Sequence, residues 1–308
     1  MKLSIIIPMY NEALNVGKMY KEIKKNIKKI KYEMIFINDG STDETEKELE
    51  KIYENDNGIK IISFSRNFGK DAAIYAGMEV ASGIYTAIID GDMQQNPKYL
   101  LEMYNFLEKN NSYDQICMVP DKRRNMSLLK RIGGKLFYKL INKLGGIKFF
   151  EDASDFRMFR GNVKEAVLSL NESNRFSKGL FNWVGFSTKI MTYSIEPRRY
   201  GKTKFNFKRS FNYAMIGIID YAANPLSIFT WGGIFNSFLG FTLLVYLIIK
   251  SIVIGHIYNE LYIVLAVVLI FFGINMFGIS FICLYLARMQ TEIKKRPIYI
   301  IKKSRGIK

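Results

Sequence analysis

Histidine is almost absent from this chain of 308 residues, where His256 is the sole one. Chemistry that relies on a histidine base, or on a zinc site rich in imidazole, is thereby nearly excluded, and carboxylates and basic side chains must supply any reactive groups. Cysteine is scarce too: Cys117 sits in an apolar, strand-like run and Cys283 in a very apolar, helical one. Two such thiols signify inert packing in a reducing compartment rather than a bridge or a metal site, and a chain of this length needs no disulfide staples. Acidic residues are outnumbered, 28 Asp and Glu against 45 Lys and Arg, for a formal charge of +17. Three partner classes suit that surplus: nucleic acid, anionic lipid headgroups and phosphorylated small molecules. No secretory leader is expected, because the opening apolar run over residues 3–8 is too short and has strand character.

Charge is missing altogether from residues 226–249 and 261–287, each stretch long enough to cross a bilayer. Both read as transmembrane helices, since a buried hairpin of a soluble protein seldom goes uncharged over such lengths. Their flanks are strongly basic, with Lys202, Lys204, Lys208 and Arg209 before them and Arg288, Lys294, Lys295, Arg296, Lys302, Lys303 and Arg305 after. The positive-inside rule then puts both termini in the cytoplasm and makes the chain an integral membrane protein. Because the charge crowds the membrane boundary, with no basic soluble face carrying stacking aromatics, nucleic acid is not the expected partner. The organisation that follows is a cytoplasmic globular domain (1–206), an amphipathic helix (207–223), two membrane helices (within 224–288) and a basic cytoplasmic tail (289–308). The helix suits the interfacial plane, although an ordinary amphipathic helix of the soluble domain fits equally well.

Up to about residue 120, short β-branched runs alternate with helical stretches. Residues 3–7, 34–37, 59–62 and 85–89 read as strands, and 13–27, 42–53, 71–81 and 97–108 as helices. That βαβα alternation predicts an α/β fold with a mostly parallel sheet covered on both faces. Ligands of such sheets gather beyond the carboxyl ends of the strands, and the polar clusters fall there: Tyr10, Asn11 and Glu12; Asn38 to Ser41; Arg66 to Lys70; and Asp90 to Gln94. Residues 121–200 are less regular, with a basic amphipathic helix expected over 128–144 and a further strand over 189–195.

The run Asp90-Gly91-Asp92-Met93-Gln94 ends the fourth strand with two carboxylates one residue apart. Alternate strand residues share a face, so both can converge on one cation if the turn at Gly91 keeps that direction. Hard oxygen ligands suit Mg²⁺ or Mn²⁺, and Mg²⁺ takes one or two carboxylates and leaves positions for phosphate oxygens. The alternative is a polar turn capping a strand.

Several motifs in order carry a resemblance: Ile6-Ile7-Pro8-Met9-Tyr10-Asn11-Glu12, Ile37-Asn38-Asp39-Gly40-Ser41-Thr42-Asp43, Arg66-Asn67-Phe68-Gly69-Lys70, the Asp90 run, and Asp152-Ala153-Ser154-Asp155-Phe156-Arg157. Over nearly its whole length the chain resembles membrane-anchored members of glycosyltransferase family 2, in the group of dolichyl-phosphate mannose synthases and bacterial undecaprenyl-phosphate glycosyltransferases. The resemblance implies a GT-A catalytic domain on the cytoplasmic side, ahead of a two-helix hairpin. It also implies inverting transfer of a hexose, with glucose and a UDP-linked donor favoured, to a polyprenyl phosphate, and a homo-oligomer. Pro8, Tyr10, Asn11, Glu12, Asp39, Asn67, Lys70 and Asp90 would serve the donor nucleotide: Tyr10 packs on the base, Glu12 bonds the ribose and Asp39 accepts a base N–H. Asp90, Asp92 and Gln94 would hold the metal. Asp155 stands at the position associated with base catalysis, with Asp152 beside it. A phosphate monoester is already largely ionised at neutral pH, so Asp155 is expected mainly to orient the acceptor phosphate or a cation; a buried ion pair with Arg157 or another arginine is the structural alternative. Arg124, Arg131, Arg198 and Lys204 are candidates for the acceptor phosphate, arginine as a planar fork and lysine as a point charge. Arg175, Lys178 and Trp183 match a positively charged loop that closes near the donor, although Trp183 fits the core equally simply. One departure concerns Ile195, where the family often has an arginine three residues before the position aligned with Arg198. A processive polysaccharide synthase would carry a Gln-x-x-Arg-Trp motif and more membrane helices, and neither is found. A catalytically dead nucleotide-sugar-binding membrane subunit is disfavoured by intact Asp90, Asp92 and Asp155.

Overall fold

The computed structural model describes residues 1–28, 30–56, 58–121, 154–170, 172, 175–196 and 292–307, with isolated helical positions between 242 and 290. Along the chain the elements are β1 (Leu3–Met9), α1 (Ala13–Asn26), β2 (Tyr32–Asn38), α2 (Thr45–Asn55), β3 (Lys60–Phe64), α3 (Lys70–Val80), β4 (Tyr85–Ile88) and α4 (Lys98–Lys109). They continue as β5 (Gln115–Pro120), β6 (Arg157–Arg160), α5 (Gly161–Ser169), α6 (Ser177–Trp183), β7 (Thr188–Tyr193) and β8 (Ile301–Arg305).

The strands form one sheet in the order β7-β5-β6-β4-β1-β2-β3-β8. Pairings among β3, β2, β1 and β4 are parallel, as is β5 with β7, whereas β6 runs antiparallel to both β4 and β5. β1 shows why a central parallel strand reads as a continuous apolar run: both of its faces are covered. Ile5 and Ile7 enter a core with Val16, Met19 and Ile23 of α1 and Leu100, Met103 and Leu107 of α4. Ile6, pointing the other way, enters a second core with Ala72, Ala73 and Ala76 of α3, Val163 and Val167 of α5, and Leu180 and Phe181 of α6. The apolar residues of α1 recur at spacings of three and four, which turns one stripe to the sheet, and Lys24 and Lys25 in its last turn oppose the negative end of the helix dipole.

Element boundaries shift by a few residues from those expected, for local chemical reasons. α2 starts at Thr45, not 42, because Thr42 donates its N–H to Asn11 Oδ1 at 2.8 Å and Asp43 Oδ1 accepts the Thr45 N–H at 3.0 Å. Side chains of that kind compete with helix formation and favour its entrance.

The basic tail also contributes to the sheet, which the sequence did not disclose: Ile301–Arg305 forms β8, antiparallel to β3 at the sheet edge. Its charges face α2: Lys302 pairs with Glu46 at 3.0 Å, and Lys303 and Arg305 pair with Glu50 at 2.9 and 3.4 Å. Basic side chains are a common way to protect an exposed edge. Just before β8, Tyr299 stacks on Phe64 at 4.8 Å and donates its hydroxyl to Glu79 of α3.

Among the described residues no helix is long and apolar enough to cross a membrane. The expected spans, like the helices expected over 128–144 and 207–223, lie wholly or mainly outside the described residues.

Candidate active site

The loops following β1, β2, β3 and β4 meet at the carboxyl end of the sheet. Two glycines make the approach possible. A Cβ on Gly40 would lie 2.1 Å from the carbonyl carbon of Arg66, and one on Gly91 would lie 2.1 Å from Met9 Sδ; Gly40 also has φ +62°, which glycine adopts without steric cost.

The first two loops are stitched by Asn11. Its side chain accepts from the Thr42 N–H and donates to Thr42 Oγ1 at 3.2 Å, while its own N–H donates to Ser41 Oγ at 2.9 Å. The residue has φ +51°, in the left-handed region that asparagine tolerates better than most side chains. Pro8 is part of β1, opposite Ile37, and Tyr10 follows, half-buried. Glu12 turns inward: its Oε2 accepts from Asn15 Nδ2 at 2.6 Å and its N–H donates to Thr45 Oγ1.

Asp39 ties the second loop to the third. Its Oδ1 accepts the Phe68 N–H at 2.7 Å, and its Oδ2 accepts from Gly69 N–H at 3.0 Å and from Asn67 Nδ2 at 2.9 Å. Burial pushes its carboxyl up to about 6, against the opposing effect of those N–H groups. A base N–H would therefore join a carboxylate already engaged by three donors.

At the other end of the site stands a cluster of charges. Lys70, the first residue of α3, places Nζ 2.5 Å from Asp90 Oδ1 and 2.8 Å from Asp155 Oδ2. The partner of Asp155 is thus a lysine; Arg157 donates instead to the Ser154 carbonyl at 3.1 Å and stacks over Phe181. Burial opposes the charge on Asp155, yet Lys70, Lys178 and Arg157 hold its carboxyl well below the usual carboxylate range. Asp90 goes the other way, raised chiefly by burial and also by Asp155, with Lys70 opposing. Burial would weaken the charge on Lys70, but Asp155 and Asp90 keep it firmly protonated. Next in sequence, Asp71 accepts the Ser177 N–H at 2.9 Å, and its carboxyl is raised by burial and by Asp155.

Gln95 is the residue that sequence reasoning missed. It brackets Asp90, accepting the Asp90 N–H on Oε1 at 2.8 Å and donating Nε2 to Asp90 Oδ2 at 3.0 Å. Only 4% of it is exposed. The signal lies in the paired glutamines after Met93. Gln94 contributes its N–H to Asp92 Oδ1 at 3.1 Å, and Met93 between them has φ +63°, a strained value for such a side chain that holds the turn tight.

Among the described residues no three His, Cys, Asp or Glu side chains gather to hold a metal. Asp90 and Asp92 offer the one or two carboxylates that Mg²⁺ takes when phosphate completes its shell. Asp155 Oδ1 is among the buried side-chain atoms of the described residues that have no hydrogen-bond partner; an orphaned carboxylate oxygen of that kind calls for a cation or a donor. The residues present thus fit a hard divalent cation shared with a ligand.

Of the remaining candidates, Asp152, Arg124, Arg131, Arg198 and Lys204 lie outside the described residues. Arg175 is fixed structurally, donating to the Val167 and Leu170 carbonyls at 2.8 and 2.6 Å and stacking over Tyr75, as basic side chains do at a helix C-terminus. Trp183 is 55% exposed and therefore no part of the core.

Comparison with known proteins shows the family. The chain is 34% identical to the bactoprenol glucosyl transferase of Shigella phage SfII, with 99% of this chain and 98% of that protein covered. It is also 34% identical to the prophage bactoprenol glucosyl transferase homolog of Escherichia coli (strain K12), over 98% and 99% of the two chains. The fold matches that of Mycobacterium tuberculosis glucosyl-3-phosphoglycerate synthase, crystallised with Mn²⁺, UDP and glucosyl-3-phosphoglycerate, with a TM-score of 0.53, 17% identity and coverage of 71% and 77%. The family model for glycosyl transferase family 2 matches residues 4–167. The chain is a glycosyltransferase with a GT-A-like α/β fold and belongs to glycosyl transferase family 2.

Proposed function

We propose that this enzyme transfers a hexose, glucose in the first instance, from a UDP-linked donor to a polyprenyl phosphate at the cytoplasmic face of the membrane, with inversion. The observation that carries the reading is the convergence of Asp90, Lys70 and Asp155 at the carboxyl end of the sheet. Full-length similarity to bactoprenol glucosyl transferases supports the lipid acceptor.

In the reaction an oxygen of the lipid phosphate attacks the anomeric carbon, the bond from that carbon to the diphosphate breaks, and the nucleoside diphosphate departs. An α-linked donor gives a β-linked product. The dianionic phosphate needs no proton removed, which leaves Asp155 to orient groups around it. Asp90 and Asp92, with Gln94, would hold Mg²⁺ or Mn²⁺, which when bound neutralises charge on the diphosphate. The loops stitched by Asn11 and Asp39, together with Pro8, Tyr10, Glu12 and Asn67, form the walls for the nucleotide. Basic residues beyond the described ones, Arg124, Arg131, Arg198 and Lys204, receive the lipid phosphate, with Asp152 close to Asp155 in sequence. The apolar stretches 226–249 and 261–287 anchor the domain beside a substrate that cannot leave the bilayer, both termini facing the cytoplasm and the protein assembling as a homo-oligomer.

The test is a radiolabelled transfer assay with the full chain in membranes, undecaprenyl phosphate and a panel of nucleotide sugars, with and without EDTA. Lipid-extractable label from a UDP-hexose, abolished by EDTA, is the expected result. No lipid-extractable label from any donor would overturn the reading.

A further inference from the structure

The geometry points to Lys70 as an internal cation that occupies the metal-binding oxygen of Asp90 before the metal arrives, and that must be displaced to let the metal in. This inference rests on the proposed metal role of Asp90. It follows from which oxygen is available. Asp90 Oδ2 is engaged by Gln95 Nε2 at 3.0 Å, and the Asp90 backbone N–H is held by the same glutamine. Turning the carboxylate would break the Oδ2 contact, while the backbone bond keeps Gln95 beside it. Oδ1 is the oxygen left for a metal, and Lys70 Nζ lies 2.5 Å from it. A divalent cation on that oxygen would sit within a few Å of the ammonium, and two positive charges so close repel strongly, so the lysine gives way.

Local helix chemistry gives no reason for a lysine here. A cation at the first residue of α3 faces the positive end of the helix dipole, where an anion is preferred. The two carboxylates supply the reason. Asp155 is the anchor at rest, with its side chain 11% exposed, whereas the Lys70 side chain is 39% exposed and lies on the open side of the cluster. Four methylenes allow Nζ to leave Asp90 without moving the helix. Once displaced, the ammonium remains within the site as a point charge for the anion that arrives with the metal, the donor diphosphate. Metal and nucleotide binding are thereby coupled through one side chain, each favouring the other, as linkage requires.

Mn²⁺ binding to the purified full chain, measured by the electron paramagnetic resonance of free Mn²⁺ with and without UDP, tests the idea. Lys70→Gln should bind Mn²⁺ roughly tenfold more tightly than the wild type without UDP, since the competitor is gone, and should gain less than the wild type when UDP is added. Lys70→Arg, which keeps the charge, should stay near wild type without UDP. If the wild type binds Mn²⁺ in the presence of UDP but Lys70→Gln binds no more tightly in its absence, the displacement is wrong and the metal reading survives. If the wild type binds no Mn²⁺ under either condition, the metal reading falls and this inference with it. A second measurement needs no variant: reductive methylation of wild-type Lys70, followed by mass spectrometry, should speed up several-fold with Mg²⁺ alone and slow again with Mg²⁺ and UDP. A rate indifferent to Mg²⁺ would overturn the inference.

Discussion

The loop after β2 and the segment entering β6 each bury a carboxylate at the same end of the sheet, and they balance it by opposite means. Asp39, 4% exposed, is surrounded by neutral N–H groups of Asn67, Phe68 and Gly69. Asp155, 9% exposed, is met by the ammonium of Lys70. Dipoles fixed in a backbone hold a loop in one shape but compensate a buried charge only partly, so the Asp39 carboxyl is pushed up to about 6. A full charge compensates completely, so the Asp155 carboxyl is held below its ordinary range, and a flexible lysine can also leave. One end of the site is built to stay as it is, the other to change partners.

The largest effects should come from the charged end. Asp92→Ala is expected to cut transfer by about 10² to 10³, the range for loss of one preorganised electrostatic contact. Asp155→Asn should leave clearly more residual turnover, because its role is to orient groups and not to remove a proton. Initial rates at saturating lipid phosphate check both, and equal losses would contradict the division.

The fixed end should reveal itself through pH. The folded carboxyl of Asp39 lies above the unfolded value of about 3.9, so its contribution to stability is fully present below about pH 4 and is lost as pH rises through about 6. Relative to Asp39→Asn, the wild type should lose stability across that window, on the order of 3 kcal/mol for a shift of this size. Asp155 has the opposite sign, with stability present above the unfolded value and lost as pH falls below about 4. Thermal melts of the wild type and Asp39→Asn between about pH 4 and 7, where the Asp155 contribution is constant, isolate the Asp39 effect; parallel curves would remove the distinction.

Between these stands Gln95→Ala, which strips both side-chain contacts from Asp90. A cost of about 1–3 kcal/mol in stability is expected, the penalty for a buried polar group left unsatisfied, with weaker Mn²⁺ binding because Asp90 is no longer aimed. The smallest effect belongs to the sheet edge. Lys303→Ala removes a partly exposed pair with Glu50 and should change the melting free energy by less than about 1 kcal/mol.

Much of the donor half was legible in the sequence because its signals are local. Runs such as residues 3–7 and 59–62 carry their own strand propensity, and the polar clusters that close them had to fall at the carboxyl ends of a parallel sheet. Partners distant in sequence were not legible. Lys70 read as a donor-loop residue, and nothing near it in the chain discloses that Asp90 and Asp155 close on its ammonium. β8 read as a basic tail because its strand character comes from the open edge of β3 and from Glu46 and Glu50 of α2, some 250 residues earlier. Gln95 was not legible for a related reason: adjacent residues in a turn point apart, and only the fold reveals which one turns back to Asp90.

The most direct test of the contrast between a fixed and a switching end is a structure of the full chain with Mn²⁺ and UDP bound. Lys70 Nζ should then lie within hydrogen-bonding reach of a diphosphate oxygen and beyond about 4 Å from Asp90 Oδ1, while Asp39 keeps its bonds to Asn67, Phe68 and Gly69. A lysine still wedged between Asp90 and Asp155, or an Asp39 loop that has rearranged, would contradict the account.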